Sequence, residues 1–250
     1  VPSFYTHVEA NKYVPVSLEK EFASLEQGNH VILNIPNNGN DVWLECTSQS
    51  IPFGFLGDFT DNRNVLVITP EGGVIKKTPA YLNENNLQHT KAEIFLDNNG
   101  NAKATLNRVS KGIQYDRVFG VESYTSDELK KYYKSEVWDY NNNLEVLSTK
   151  VSNNKDEIRF TEDIEIAISK YATITDNEYL FRVNIFNRNG FVPKRYRKRK
   201  RSLQISRGYK DVDEYTINIP KDYTLTYIPE NKKIETKFGT YTLSFKKIEW

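Results

Sequence analysis

Two side chains of this sequence, His30 and Glu45, are of the types and at the spacing that acid–base chemistry requires. In a cysteine hydrolase or acyl transferase, an imidazole takes the thiol proton and a third polar group fixes the orientation and tautomer of the imidazole. The chain has one cysteine, Cys46, directly after Glu45, and adjacent strand residues point to opposite faces. Cys46 is therefore a poor candidate for the nucleophile, and we expect it to be a small buried hydrophobic residue.

The segments around these residues predict a β-hairpin that brings them together. An apolar strand over 30–35 begins with His30, turn-forming residues follow at 37–41, and a second strand over 42–46 contains Glu45. Cross-strand neighbours on one face have Cβ atoms about 4.5–5.5 Å apart. The carboxylate can then accept one imidazole N–H, which leaves the other ring nitrogen free for a thiol proton.

Other readings of these side chains stay open from the residues alone. The alternative is that His30 is an ordinary core or surface histidine and that Glu45 is a solvated acid on an edge strand. Trp43 is expected on the same face as Glu45, where it would shield the site from water. His7 and His89 have no supporting motif and are expected to be structural or exposed.

Composition bounds the class of protein. The 250 residues are 38% apolar and 13% aromatic, with many Tyr, Phe, Val and Ile, which favours a mainly β fold, α+β overall. A net charge of +1 gives no field that would attract nucleic acid, and no apolar run is long enough for a membrane span. The chain begins Val1-Pro2 and contains no methionine, so we expect it to be a processed product or a fragment.

Turn signals and alternating patterns predict two domains, residues 1–85 and 86–250. The first domain is expected to have strands at 3–10, 30–35, 42–46, 64–69 and 74–78. The second is expected to be β-sandwich-like with one helix beginning near Ser126 and ending at Asn141. Its strands are predicted at 89–97, 101–109, 144–151, 156–160, 163–170, 178–184, 203–206, 214–219, 223–228, 232–236 and 240–248.

Two charged segments were weighed as binding sites. The basic run 194–201 could bind phosphate groups, but acids elsewhere offset it, and a solvated strand or loop is the favoured interpretation. Asp211, Asp213 and Glu214 lack the spacing of a twelve-residue calcium loop and are expected to form a turn. No cofactor and no metal site is predicted.

Several segments together look like bacterial transglutaminase-like proteins with flanking domains of unknown function, large exported proteins frequent in Bacteroidota. Residues 1–85 resemble the second half of the transglutaminase-like domain, and 86–250 resemble most of the β-sandwich domain that follows it. The segments that carry the resemblance are 30–33, 42–49, 52–54, 56–60 and 69–73 in the first part, with 207–215 and 219–220 in the second.

The resemblance implies a papain-related α+β domain in which His30 is the catalytic histidine and Glu45 is the acid that orients it. The usual pattern is Asp-Pro-Thr where this chain has Glu45-Cys46-Thr47, so the carboxylate is kept with one more methylene. The nucleophilic cysteine is expected at the start of a helix upstream of Ser3. An intact parent would form a thioester on a peptide or carboxamide, resolved by water or an amine, whereas this chain alone is expected to be inactive.

The resemblance also implies partners and a compartment. We expect a protein or peptide substrate, a periplasmic or cell-envelope location, and an apolar surface covered by the missing N-terminal half or by self-association. The alternative is a non-catalytic envelope binding or scaffolding module on a transglutaminase-like platform. A cysteine opening a helix in the parental sequence would distinguish the two.

Overall fold

The chain folds mainly into β-sheets, which confirms the predicted fold class. In the described part of the chain, two five-stranded sheets contain most of the strands, and two two-stranded sheets contain the others. The structure is a computed structural model that describes residues 1–12, 16–22, 24–176, 178–190, 195–200, 205 and 207–248.

The first large sheet contains the predicted hairpin. Its strands are β1 (Phe4–Val8), β2 (His30–Ile35), β3 (Val42–Leu44), β4 (Asn64–Thr69) and β5 (Gly72–Lys77). The strand order is β3-β2-β1-β4-β5, and every pair is antiparallel. Asn38 and Gly39 in the β2–β3 turn have φ angles of 45° and 90°, a backbone region that asparagine and glycine tolerate best.

One face of this sheet forms a small core. Apolar side chains from four strands and from the loop after the hairpin are buried there: Val8, Ile32, Trp43, Leu56, Val65 and Val67. The edge strands β3 and β5 are linked, since Lys76 Nζ lies 2.5 Å from Asp41 Oδ2. A cavity of about 270 Å³ lies beside this ion pair, with Trp43 and Lys77 in its wall. The sheet therefore curls around its core.

The opposite, outward face of the same sheet is apolar and only partly covered. Tyr5 pairs with Leu33, and Leu33 pairs with Leu44, so the three side chains share this face. Leu66 and Ile68 extend it across β4. Tyr5 is 51% exposed and Ile68 is 41% exposed. Among the described residues this face packs on no buried cluster.

The remaining strands follow the turn at 83–86, where the predicted boundary between residues 1–85 and 86–250 falls. They are β6 (Leu87–Leu96), β7 (Ala102–Lys111), β8 (Leu144–Asn154), β9 (Arg159–Ile168), β10 (Ala172–Thr175), β11 (Glu178–Phe181), β12 (Lys210–Asn218), β13 (Lys232–Thr236) and β14 (Gly239–Leu243). The second large sheet has the order β12-β6-β7-β9-β8, with β12 parallel to β6 and the other neighbours antiparallel.

A helical layer covers one face of the second sheet. It contains α1 (Ile113–Asp116), α2 (Ser126–Tyr132) and a π-helical turn, Tyr133–Val137. The helix α2 begins at Ser126, where the sequence predicts it to begin, because Thr125 is its N-cap and forms a reciprocal capping box with Glu128.

The second unit, which begins at residue 86, has a large aromatic core. Tyr115, Tyr133, Trp138 and Phe186 are almost fully buried against the apolar side chains of the sheet. Where a sandwich was predicted, the described residues place helices and a loop, rather than a second large sheet, on this face. Strand spacing identifies strands, but it does not determine which elements cover them.

Four predicted strands of the second unit need correction or lie outside the described residues. The strands predicted at 156–160 and 163–170 form one strand, β9, because Glu162 is buried inside it and accepts a hydrogen bond from Tyr133 Oη at 2.7 Å. The segment 223–228 is irregular rather than a strand. The strand predicted at 203–206 lies outside the described residues except for Ile205.

Candidate acid–base site

The side chains of His30 and Glu45 are in direct contact. His30 Nε2 lies 2.9 Å from Glu45 Oε2 and 3.1 Å from Oε1. The imidazole is 18% exposed, whereas the Glu45 side chain is 0% exposed. The predicted contact is thus present, and the catalytic role of the two residues stays a prediction.

Strand register explains why these side chains meet. Leu33 pairs with Leu44, and the next step of that register places Glu45, one residue beyond the end of β3, opposite Ile32. His30 lies two residues before Ile32 and therefore on the same face. The pair is diagonal rather than directly opposite, a separation that a glutamate and a histidine can bridge. The glutamate side chain is long enough for this reach.

Thr47 is a residue of this site to which sequence reasoning gave no role. Its backbone N–H donates to Glu45 Oε1 at 3.0 Å, and its hydroxyl donates to the same oxygen at 2.7 Å. A buried carboxylate needs such donors to remain ionised without a large desolvation cost. The signal was the threonine two residues after the acid, the spacing at which side chains form local hydrogen bonds.

The contact with Glu45 determines which ring nitrogen of His30 is available for chemistry. A neutral imidazole that donates from Nε2 has an acceptor lone pair on Nδ1. No other residue in the described part of the chain donates to or accepts from Nδ1. The ring also packs at 5.6 Å from the ring of Phe59, which comes from the loop after the hairpin. Trp43 lies on the same face, in the core of the first sheet.

Cys46 does not belong to this arrangement. Its thiol contacts the Leu44 carbonyl oxygen at 3.7 Å, and no contact between the thiol and His30 is present among the described residues. The expectation that it is buried was wrong, because the residue is exposed. The strand ends at Leu44, so no further strand residues cover the thiol.

The other two histidines have partners of their own. His7 Nε2 lies 2.7 Å from the Leu25 carbonyl oxygen, and His89 Nε2 lies 2.5 Å from Glu214 Oε1. Neither has a nearby nucleophile among the described residues. Their predicted structural or exposed character agrees with these contacts.

The charged segments differ in outcome. Residues 195–200 of the basic run are exposed and irregular, as expected for a solvated loop, while Lys194 and Arg201 lie outside the described residues. The turn predicted at Asp211, Asp213 and Glu214 was wrong, because all three lie in β12. Asn187 donates hydrogen bonds to Asp211 and Asp213, which offsets the cost of placing these two carboxylates in a strand.

Two kinds of feature are absent from the described residues. They contain no group of three or more histidine, cysteine, aspartate or glutamate side chains that could hold a metal ion. They also contain no helix that is both long and apolar enough to cross a membrane.

Comparison with known proteins gives one match. Residues 176–249 match DUF3858, a domain of unknown function with a solved structure. No curated protein and no solved structure matches the chain. The matched segment covers less than a third of the sequence and lies entirely beyond the hairpin that carries His30 and Glu45, so what the chain is similar to is established only for its C-terminal part.

Proposed function

We propose that residues 1–85 supply the acid–base half of a transglutaminase-like, thioester-forming site, with His30 as the base and Glu45 as the residue that orients it. The observation that carries this proposal is the fully buried Glu45 carboxylate, which contacts His30 Nε2 at 2.9 Å and is held by two hydrogen bonds from Thr47. A buried carboxylate fixed in this way orients one tautomer of the imidazole.

The chemistry follows from the free ring nitrogen. A thiol delivers its proton to His30 Nδ1, and the resulting imidazolium is stabilised by the negative charge of Glu45. The thiolate attacks the carbonyl carbon of a peptide or carboxamide, the imidazolium returns the proton to the departing nitrogen, and a thioester and an amine or ammonia result. Water then gives the acid, and a second amine gives a new amide. The first outcome is hydrolysis, and the second is crosslinking.

The thiol in this proposal comes from a segment other than residues 1–250. Cys46 is the one cysteine of this sequence, and its thiol contacts the Leu44 carbonyl oxygen rather than His30. A nucleophilic cysteine at a helix N-terminus would have its thiolate stabilised by the helix dipole and by the neighbouring imidazolium. By itself the chain lacks the bond-forming group and should not turn over substrate.

The outward apolar face of the first sheet supports a partner for this unit. Tyr5 and Ile68 are exposed on a face that also carries Leu33 and Leu44, and contiguous exposed apolar faces mark interaction sites. The remainder of the parental polypeptide, or a second copy of this chain, would cover it. A protein or peptide substrate and a periplasmic or cell-envelope location belong to the same proposal.

A second candidate function is a non-catalytic binding or scaffolding module of the envelope. It is favoured by the exposed aromatic side chains of the C-terminal part, where Tyr227 is 75% exposed and Phe238 and Tyr241 are each 55% exposed. Exposed aromatic residues are enriched at protein interfaces. In this alternative the His30–Glu45 pair only stabilises the hairpin.

The deciding experiment uses the natural polypeptide that contains these 250 residues. Cys46 is first replaced by serine, because an exposed thiol would itself react with electrophiles. The rate of alkylation by a peptide chloromethyl ketone is then measured with and without His30→Ala. The proposal expects a loss of at least about tenfold in the rate at neutral pH, as the thiolate loses its base.

Matched variants make the result specific. His89→Ala removes an exposed histidine that also pairs with a glutamate, and it should leave the alkylation rate unchanged. An unchanged rate in His30→Ala, or the absence of any cysteine from the natural polypeptide besides Cys46, would overturn the enzymatic proposal and favour the binding module.

A further inference from the structure

The loop that packs on His30 is held in place by residues of the second unit. Phe59 packs against the imidazole, and two nearby residues of the same loop, Asp58 and Asp61, both contact Arg207. The guanidinium binds both carboxylate oxygens of Asp61 through two nitrogens, and it also donates to the Asp58 carbonyl oxygen. A planar, forked donor is required for this arrangement.

This clamp is buried. The Asp61 side chain is 1% exposed and the Arg207 side chain is 15% exposed. A second arginine, Arg63, is completely buried and lies 3.9 Å from the same aspartate. Removing one partner of a buried, hydrogen-bonded ion pair leaves an uncompensated charge, which is far more costly than losing an exposed pair. The loop is therefore held tightly at Asp61.

Further contacts hold the loop, from Asp116 of the second unit and from Tyr81 of the first. Asp116 at the end of α1 accepts a hydrogen bond from the Asp58 backbone N–H at 3.0 Å. Gly57 has a φ of +70°, and a Cβ there would lie 3.1 Å from an Asp116 oxygen. Tyr81 Oη accepts from the Leu56 backbone N–H at 3.3 Å. Each of these contacts fixes a residue within four positions of Phe59.

Arg207 reaches the loop because the chain beside it lies close to the turn at 83–86. A Cβ on Gly208 would lie 1.8 Å from the Asn83 side-chain oxygen, so no larger residue fits without a shift. The Gly208 carbonyl oxygen accepts from Asn86 Nδ2 at 2.9 Å, and the Lys210 N–H donates to the Asn86 carbonyl oxygen at 2.9 Å. These contacts place Arg207 between the two units.

We propose that Arg207 is a positioning residue for His30, acting through Asp61 and the loop that carries Phe59. Arg207 lies in the C-terminal segment that matches DUF3858. In this proposal, that segment holds the loop whose Phe59 packs against His30. The functional meaning of that clamp rests on the proposed function. The physical coupling of Arg207 to the imidazole does not, and it can be tested without a substrate or a nucleophilic thiol.

The test follows the three histidines of the 250-residue chain by NMR after selective 15N and 13C labelling of histidine. His30 reports the site, His7 reports the first sheet away from the loop, and His89 reports the second sheet. In Arg207→Lys, which keeps the charge and loses the fork, the ring signals of His30 should shift or broaden while those of His7 and His89 stay unchanged. Arg117→Lys, at an exposed arginine, is the matched control and should move none of them.

A double variant, Arg207→Gln with Asp61→Asn, removes both charges and so leaves no carboxylate unpaired. It should again perturb His30 selectively if the clamp acts by geometry. Unchanged His30 signals in both variants would overturn the proposal. So would joint movement of all three histidines, since that marks general loss of structure. If the natural polypeptide lacks thiol chemistry but the His30 signals still shift selectively, the proposed role of Arg207 is supported. Only the enzymatic proposal then fails.

Discussion

The carboxylate of Glu45 lies 2.9 Å from Nε2 of His30, and its side chain is completely buried while the imidazole keeps partial access to solvent. This difference in burial matters, because a buried acceptor with fixed donors holds the imidazole in one orientation. Thr47 supplies two of those donors. The pair therefore differs from two surface residues that happen to meet, and this supports the acid and base roles proposed for it.

Replacing Glu45 by alanine should destabilise the chain, because it leaves the Thr47 donors and His30 Nε2 without their acceptor. The expected loss is about 2 kcal/mol in the free energy of unfolding at pH 7, measured by urea denaturation. Glu45→Gln should cost less, since its amide oxygen can still accept from Thr47. Glu71→Ala, at an exposed turn position, is the control. Equal stability of Glu45→Ala and wild type would show that the carboxylate is not held as described.

Local patterns predicted the elements of the first sheet well. The strands at 30–35 and 64–69 agree with β2 and β4 because period-two alternation and flanking turn residues are local properties. The contact of His30 with Glu45 could be predicted for the same reason, since the two residues lie 15 positions apart in one hairpin. Thr47 escaped notice because its role depends on burial of its neighbour.

Contacts between distant segments were beyond local patterns. Arg207 and Asp61 are 146 positions apart, and the parallel pairing of β12 with β6 joins residues more than 120 positions apart. Strand predictions fail at acidic residues whose burial is made possible by a hydrogen-bond partner from another part of the chain. The sequence predicts that Glu162 lies between two strands, whereas it lies inside β9. Its hydrogen-bond partner, Tyr133, comes from the helical layer and could not be identified from neighbouring residues. Such compensation is tertiary, so it is invisible in a window of ten residues.

The exposed thiol of Cys46 should react freely in the folded chain. One equivalent of thiol is expected to react with Ellman's reagent without denaturant, at a rate within about threefold of that in urea, because accessibility governs the rate when the thiol has no activating neighbour. The variant His30→Ala should not change this rate, since the thiol contacts the Leu44 carbonyl oxygen rather than the imidazole. Protection of Cys46 until unfolding would show that it is buried.

The ion pair between Lys76 and Asp41 should stabilise the curled first sheet in a pH-dependent way. Burial disfavours the charged form of Asp41, but hydrogen bonds from Lys76 and Asn34 outweigh it and lower the pKa of Asp41. A lowered pKa contributes stability above the ordinary aspartate value of 3.8, and that contribution is lost as the pH falls below it. Lys76→Met should therefore cost about 1 kcal/mol at pH 7 and progressively less in acid.

The neighbouring residue provides the control for that measurement. Lys77 is exposed on the same strand, and Lys77→Met should leave the unfolding free energy unchanged at both pH values. A deficit in Lys76→Met that persists undiminished below pH 3 would mean that the lysine acts through packing of its alkyl chain rather than through charge.

Asp116 should have the opposite pH dependence. Burial, together with the nearby Asp58 carboxylate, raises the pKa of Asp116 to about 6 from its ordinary value of 3.8. The folded chain then binds a proton that the unfolded chain has already released between these values, so this residue makes stability fall as the pH rises from about 4 to 6. Above pH 6 the folded chain bears the full free-energy cost of the buried, ionised Asp116 carboxylate. Asp116→Asn should remove that cost and keep an oxygen that accepts from the Asp58 N–H.

The expected result is a gain of about 1–3 kcal/mol in the unfolding free energy of Asp116→Asn at pH 7.5, and no gain at pH 3.5. Urea denaturation across this pH range measures it, with Asp222→Asn, at an exposed position, as the control. A gain that is equal at both pH values would assign the effect to packing. A loss at pH 7.5 would mean that the charged carboxylate itself stabilises the loop, and the Asp58 N–H would then be its decisive partner.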